Sequence, residues 1–188
     1  MTTVEFRIAF AAPFRVSTGH ARPGVDAGID RDTPLPATSL KGLMRATAGQ
    51  LLGEKHPLVA AVFGSVHAPS PWSWSDATPA GDGWRKPVIA SRVRIGEDHV
   101  ADHDMLGSAE VTQAAAATFS ITQCGHLTDE ALALHRALLA VAGQATRSLG
   151  ANRRRGLGWV HITCTSDPPT EDTVRTLLAQ GPAQGPAT

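Results

Sequence analysis

Residues 149–158 read Leu-Gly-Ala-Asn-Arg-Arg-Arg-Gly-Leu-Gly and run straight into the apolar alternation Trp159-Val160-His161-Ile162-Thr163-Cys164. The stretch before this loop has helical periodicity and the stretch after it alternates like a half-buried strand, so the junction fixes a helix-to-strand connection. That order is the reverse of a dinucleotide-binding turn, whose glycines follow a strand and open a helix. Gly150, Gly156 and Gly158 can take positive φ and bring backbone N–H groups close to a ligand. Arg153, Arg154 and Arg155, beside Asn152, add forked donors that match phosphate geometry. The loop therefore reads as a phosphate clamp for a nucleic-acid backbone, the alternative being a solvated Gly/Arg turn.

Charge makes local placement the deciding matter. Seventeen basic residues balance seventeen acidic ones, so the field of the whole molecule does not recruit a polyanion and any such site must be a local cluster. Fourteen of the cations are arginine, and Arg31, Lys41, Arg45 and Arg147 to Arg155 lie in segments with few opposing charges. The 188 residues suit one domain with an insertion. Cys124 and Cys164 lie far apart in strand-like runs, the pattern of thiols in a reducing, cytoplasmic compartment and not of a disulfide framework. No run approaches the roughly 18 apolar residues of a membrane span, so no membrane partner is expected.

Val4, Phe6, Ile8 and Phe10 alternate with polar or small residues and predict a first strand. Residues 17–36 have no apolar period and form a long loop. Ser39 is expected to cap a helix in which Leu40, Leu43, Met44, Ala48, Leu51 and Leu52 recur at helical spacing as far as Gly53. Turn-rich sequence follows, anchored by Trp72, Trp74 and Trp84. Residues 88–95 and 110–122 predict a projecting β-hairpin around an acidic, histidine-containing tip at 96–108. His99, Asp102, His103 and Asp104 there read as a solvated tip, since no third well-spaced ligand supports a metal site. Thr128 caps a second helix that ends before the glycine loop, and a last strand covers 157–165. The expected fold is α+β: a ferredoxin-like, RRM-like antiparallel sheet with helices on one face and the other face free to bind. Residues 1–166 make the domain, with the hairpin inserted at about 88–122, and 167–188 form an extension with a frayed end.

Leu35-Pro36-Ala37-Thr38-Ser39-Leu40-Lys41-Gly42-Leu43-Met44-Arg45 resembles the "iPGSSLKGxxR" signature of the repeat-associated mysterious protein (RAMP) superfamily, whose members build CRISPR effector complexes. Arg15-Val16-Ser17-Thr18-Gly19-His20 resembles the family's "TG-H" segment after the first strand. Val62-Phe63-Gly64, Trp74-Ser75-Asp76-Ala77 and the Gly150–Gly158 loop follow in the family's order, so the likeness covers residues 4–164. Ala37 stands where the family usually has glycine.

This resemblance implies an RNA-binding subunit of a type III effector. Its partners would be guide RNA, complementary target RNA, further copies of the chain and other CRISPR effector subunits. The helix opened by Ser39, Lys41 and Gly42 would offer its N–H groups to phosphate, with Arg45 beside it and the arginine loop at the same sheet edge. His20 joins this RNA site through the resemblance alone. Asp26-Ala27-Gly28-Ile29-Asp30-Arg31-Asp32 resembles the "D-x-x-x-x-[KR]-D" pattern of RNA-cleaving backbone subunits and makes Asp26 the candidate catalytic group. It would act as base to the 2′-hydroxyl or as ligand to Mg²⁺. Asp30 and Asp32 would orient metal-bound water or serve as turn formers. Two alternatives stand beside target cleavage: a non-catalytic structural or capping subunit, and a metal-independent, guide-processing endoribonuclease using His20 as base.

Overall fold

The computed structural model describes residues 1–20, 23–95 and 101–180, apart from the side chains of 92–106 and of Arg154. The expected hairpin-tip residue His99, the side chains of Asp102, His103 and Asp104, and the terminal stretch 181–188 lie outside the described residues.

Strand β1 (Thr3–Phe10) alternates strictly between exposed and buried positions, as its sequence predicts. Val4, Phe6, Ile8 and Phe10 turn into the core while Thr3, Glu5, Arg7 and Ala9 face outward. Helix α1 spans Ala37–Leu52 and α2 spans Pro57–Phe63. The short strands β2 (Trp72–Trp74) and β3 (Thr78–Pro79) follow, then the hairpin β4 (Val88–Ile95) and β5 (Ala101–Val111). Strand β6 (Ala116–Gln123), helix α3 (Asp129–Ala145), strand β7 (Val160–Cys164) and helix α4 (Glu171–Ala179) complete the chain.

The main sheet runs β2-β6-β1-β7 with β3 also on β6, and every pairing is antiparallel. Taking β1-α1-β2-β6-α3-β7 in chain order, this is the ferredoxin-like arrangement, with the β4–β5 hairpin inserted before β6 and α4 appended. Phe6 stacks on Phe119 at 4.8 Å between centroids. Leu40, Met44, Leu138 and Leu139 cover the inner face in one continuous core. The outer face is uncovered by helices and carries Glu5, Arg7, Thr118 and Thr163.

Three expectations need correction. The strand returning from the hairpin is Ala101–Val111, while residues 116–123 pair with β1 in the main sheet. The run Ala114-Ala115-Ala116-Ala117 hides this boundary, because alanine neither marks a turn nor shows a period. Ser39 does not cap α1. Pro36 occupies the N-cap without a side-chain bond, and the helix starts at Ala37 because Asp76 Oδ1 accepts the Ala37 N–H at 2.7 Å. Finally, α2 and α4 form where irregular chain was expected, each opened by a local cap: the His56 ring accepting from Leu58 N, and a Thr170/Thr173 capping box. Of the cysteines, Cys164 is buried and Cys124 exposed, and both are free thiols. Burial pushes the Cys164 thiol up from its ordinary value, which keeps it inert.

Candidate nucleic-acid interface

The Gly150–Gly158 loop is closed at its base and stapled to the segment after β1. Leu149 N donates to Gly158 O at 2.9 Å, Gly158 N to Pro13 O at 2.8 Å and Ala151 N to Arg15 O at 2.8 Å. Glycine is obligatory at two of these points. A Cβ on Gly150 would meet Arg15 O at 2.3 Å and one on Gly158 would meet Leu149 O at 1.9 Å, both at positive φ. These two residues pack the base of the loop, whereas Gly156, also at positive φ, has open space around it. Between them Asn152 takes the left-handed conformation at φ 59°, which asparagine tolerates. The arginines make one 3₁₀ turn, Arg153–Arg155, with Arg153 and Arg155 exposed.

The staple is itself rigid. Phe14 is fully buried, exchanges backbone bonds with Thr112, and packs with Phe10 and Trp84. Next to it, Arg15 lines the cavity beside the loop, and its buried Nε has no hydrogen-bond partner among the described residues. An orphaned guanidinium donor is costly unless a ligand or water completes it.

The long loop reaches this place through the hairpin. Asp26 N donates to Ser108 O, and Asp26 Oδ2 accepts from Ser108 N at 2.7 Å and from Ser108 Oγ at 3.2 Å. Buried Glu110 accepts from Ile29 N at 3.2 Å and from the Arg31 guanidinium at 2.6 Å. Residues 108–110 of β5 thus hold residues 24–31 in an extended run. A cavity of about 210 Å³ results, lined by Arg15, Asp26, Ser108, Asn152, Arg155 and small residues of the hairpin. Asp30 is a turn former, its Oδ1 accepting from Asp32 N and Thr33 N.

The SLKG helix is elsewhere. Gly42 and Arg45 line a different cavity with Ala46, Glu54 and Val59, and Lys41 Nζ lies over the Trp74 ring at 4.9 Å. Ser39 is half-buried at the third helical position. The positive end of α1 already faces the Asp76 carboxylate, and the cavity that Gly42 and Arg45 line is different from the one beside the arginine loop. His20 is exposed at the tip of the long loop, its Nδ1 donating to Thr18 O at 3.1 Å, which leaves Nε2 as the acceptor.

Known proteins now bear on this geometry. The model of the RAMP superfamily matches residues 13–161. The chain belongs to the RAMP superfamily. Comparison with curated protein sequences gave no match. Among solved structures, this RAMP chain is similar to one in the cryo-EM structure of the apo state of type III-B Cmr-beta: TM-score 0.64 and 14% identity, over 88% of this chain and 98% of the other. It is also similar to a chain of the type III-B Cmr-beta bound to cognate target RNA: TM-score 0.58 and 18% identity, over 88% of this chain and 59% of the other. At these identities the likeness concerns the fold.

Sequence reasoning missed Arg15 and Ser108. Arg15 opens the "TG-H" segment, but nothing in the sequence marks its neighbours in space. Ser108 was hidden inside a stretch read as hairpin tip. Among the described residues no three His, Cys, Asp or Glu side chains group to hold a metal. Asp26 Oδ1, however, takes no hydrogen bond among the described residues. Mg²⁺ commonly binds through one or two carboxylates plus phosphates, and a single carboxylate oxygen such as Asp26 Oδ1 is compatible with that chemistry.

Proposed function

We propose that this RAMP chain is an RNA-binding subunit of a type III CRISPR ribonucleoprotein, gripping a ribonucleotide backbone with the Gly150–Gly158 loop and presenting Asp26 to target RNA. The carrying observation is the shared cavity: Arg15 and the Asp26 loop meet Asn152 and Arg155 there, from distant parts of the chain. Arg153 and Arg155 supply charge, the open Gly156 lets the backbone approach, and the buried Arg15 Nε, without a partner among the described residues, is a donor for phosphate. Guide pairing would read the target, so the protein's own contacts need only shape and phosphate. The full set of partners under this reading is guide RNA, target RNA, neighbouring copies and other effector subunits.

Asp26 Oδ1 would hold Mg²⁺ together with RNA phosphates. Bound there, the ion supplies stabilisation of the charge that builds on the phosphorane. The chain's own part is positional: Ser108 fixes one oxygen of Asp26 in the cavity that Arg155 also lines. Asp26→Asn keeps the oxygen that Ser108 bonds and removes the charge. The ribonucleoprotein carrying this variant should retain its RNA and lose Mg²⁺-dependent cleavage of guide-paired target. Full cleavage by the variant rejects the catalytic role, and assembly without cleavage in the unmodified complex favours a purely structural subunit.

A second reading has one observation in its favour. The Thr18 carbonyl fixes the His20 tautomer with Nε2 free to accept a proton, as guide processing without metal would need. Cleavage of a repeat hairpin in EDTA, lost in His20→Ala, would select that reading instead.

A further inference from the structure

Three of the four tryptophans serve the core, and the fourth does not. Trp72 is buried, while Trp74 and Trp84 pack against the core. Trp159 is 52% exposed, directly after Gly158 at the foot of the arginine loop. Val160 and Ile162 turn inward, so Trp159 shares the outer face of the sheet with exposed His161 and Thr163. Across the ladder the neighbours are small: Ala9 pairs with His161, and Trp159 O accepts the Ala11 N–H at 2.9 Å. Both alanines are exposed, which leaves the flank of the indole open. Arg147 Nη1 donates to His161 Nδ1 at 3.4 Å.

We propose that Trp159 is a stacking platform for one unpaired base of the RNA strand held by the Arg153–Arg155 turn, with His161 and Arg147 at its edge. This deepens the RNA-binding reading above and rests on it. Charge complementarity selects the occupant. Arg153 and Arg155 precede the indole closely in sequence, Arg147 adjoins it through the Ser148–Trp159 bridge, Arg7 follows Ala9 on the same face, and the acid of that row, Glu5, stands at the far end beside Thr165. A protein partner would want an apolar centre of several large side chains, whereas a lone indole ringed by cations and alanines suits a base with its phosphates. Strand residues two apart are separated by about 6.8 Å, so the Trp159 and His161 positions admit one flat ring at a time.

The test uses the purified chain with single-stranded oligoadenylate RNA and the same RNA carrying abasic riboses. Trp159→Ala should weaken oligoadenylate binding roughly tenfold, Trp159→Phe should restore most of it, and abasic RNA should bind all three proteins alike. Unchanged oligoadenylate binding by Trp159→Ala overturns the proposal and leaves the RNA reading standing. An equal loss on abasic RNA also overturns it, since the residue would then act by shaping the loop. If Trp159→Ala instead abolishes self-association at unchanged RNA affinity, the indole is a protein contact. Failure of the unmodified chain to bind either RNA sinks the parent reading as well.

Discussion

The start of α1 and the Gly150–Gly158 loop carry similar basic motifs, yet their surroundings differ. At α1, Asp76 takes the helix N-terminus and Lys41 lies over Trp74, while Arg45 stays exposed beside a cavity that Glu54 also lines. At the loop, Arg153 and Arg155 are exposed and the buried Arg15 Nε has no partner among the described residues. A motif of lysine and arginine is thus a statement about charge supply. Whether that charge is spent inside the protein depends on acids and aromatics that arrive from other segments.

The largest expected effect tests whether the loop is a rigid device. Gly158→Ala places a Cβ at 1.9 Å from Leu149 O at φ +73°, where no flexible side chain can yield. It should destabilise the fold on the order of 3 kcal/mol, read as a shifted urea midpoint. A change under about 1 kcal/mol would mean that the loop adapts, and the contrast with α1 would weaken.

Next comes the support of β2, on which the α1 side depends. Trp72 Nε1 donates to His135 Nδ1 at 3.1 Å, and burial lowers the His135 pKa below its ordinary value. His135→Ala leaves that indole N–H unsatisfied and should cost about 2 kcal/mol. The pH dependence has a definite sign. Below about pH 6.5 the unfolded chain takes up a proton that the folded chain refuses, so stability is complete above that pH and falls as pH drops through it. His135→Asn keeps an acceptor oxygen, and its melting temperature should decline less than the wild type's between pH 7.5 and 5.5. Parallel decline in the two proteins would show that His135 does not couple to folding.

The third prediction sets the two regions directly against each other. Arg153→Ala with Arg155→Ala should lower affinity for single-stranded RNA by tenfold or more and reduce the salt slope by about 0.7 per lost phosphate contact. Lys41→Ala with Arg45→Ala should change both much less. Equal losses, in affinity and slope, would restore α1 to the RNA site.

Much of the fold was legible because β1, α1, α3 and β7 carry clean periods of two or 3.6. Val4 to Phe10 and Leu132 to Ala142 each bury one face, and such patterns survive without context. The start of α1 was misread because its cap comes from Asp76, on a segment 39 residues away, which no local rule can see. Strand β6 was merged with the hairpin because alanines blur the join. The same reasoning divides the site: the conformation of Gly150, Asn152 and Gly156 follows from residue type, whereas the meeting of Asp26 with Arg155 depends on Ser108 and Glu110 gripping the long loop from the hairpin.

The smallest effect concerns Gly42, the glycine of the SLKG motif, and it separates a ligand role from a folding role. Gly42 is exposed within α1, has no positive φ, and a Cβ there would have nothing within 4 Å. Glycine in a helix interior is worse than alanine by about 0.5–1 kcal/mol, so Gly42→Ala should stabilise the protein by about that amount. The structure supplies no packing reason for glycine at this position. If the variant is more stable and binds RNA as before, the N-terminus of α1 serves the fold through Asp76. If it gains stability but loses RNA, a backbone must pass within a methyl group of Gly42, and the two basic motifs would then serve two stretches of one strand.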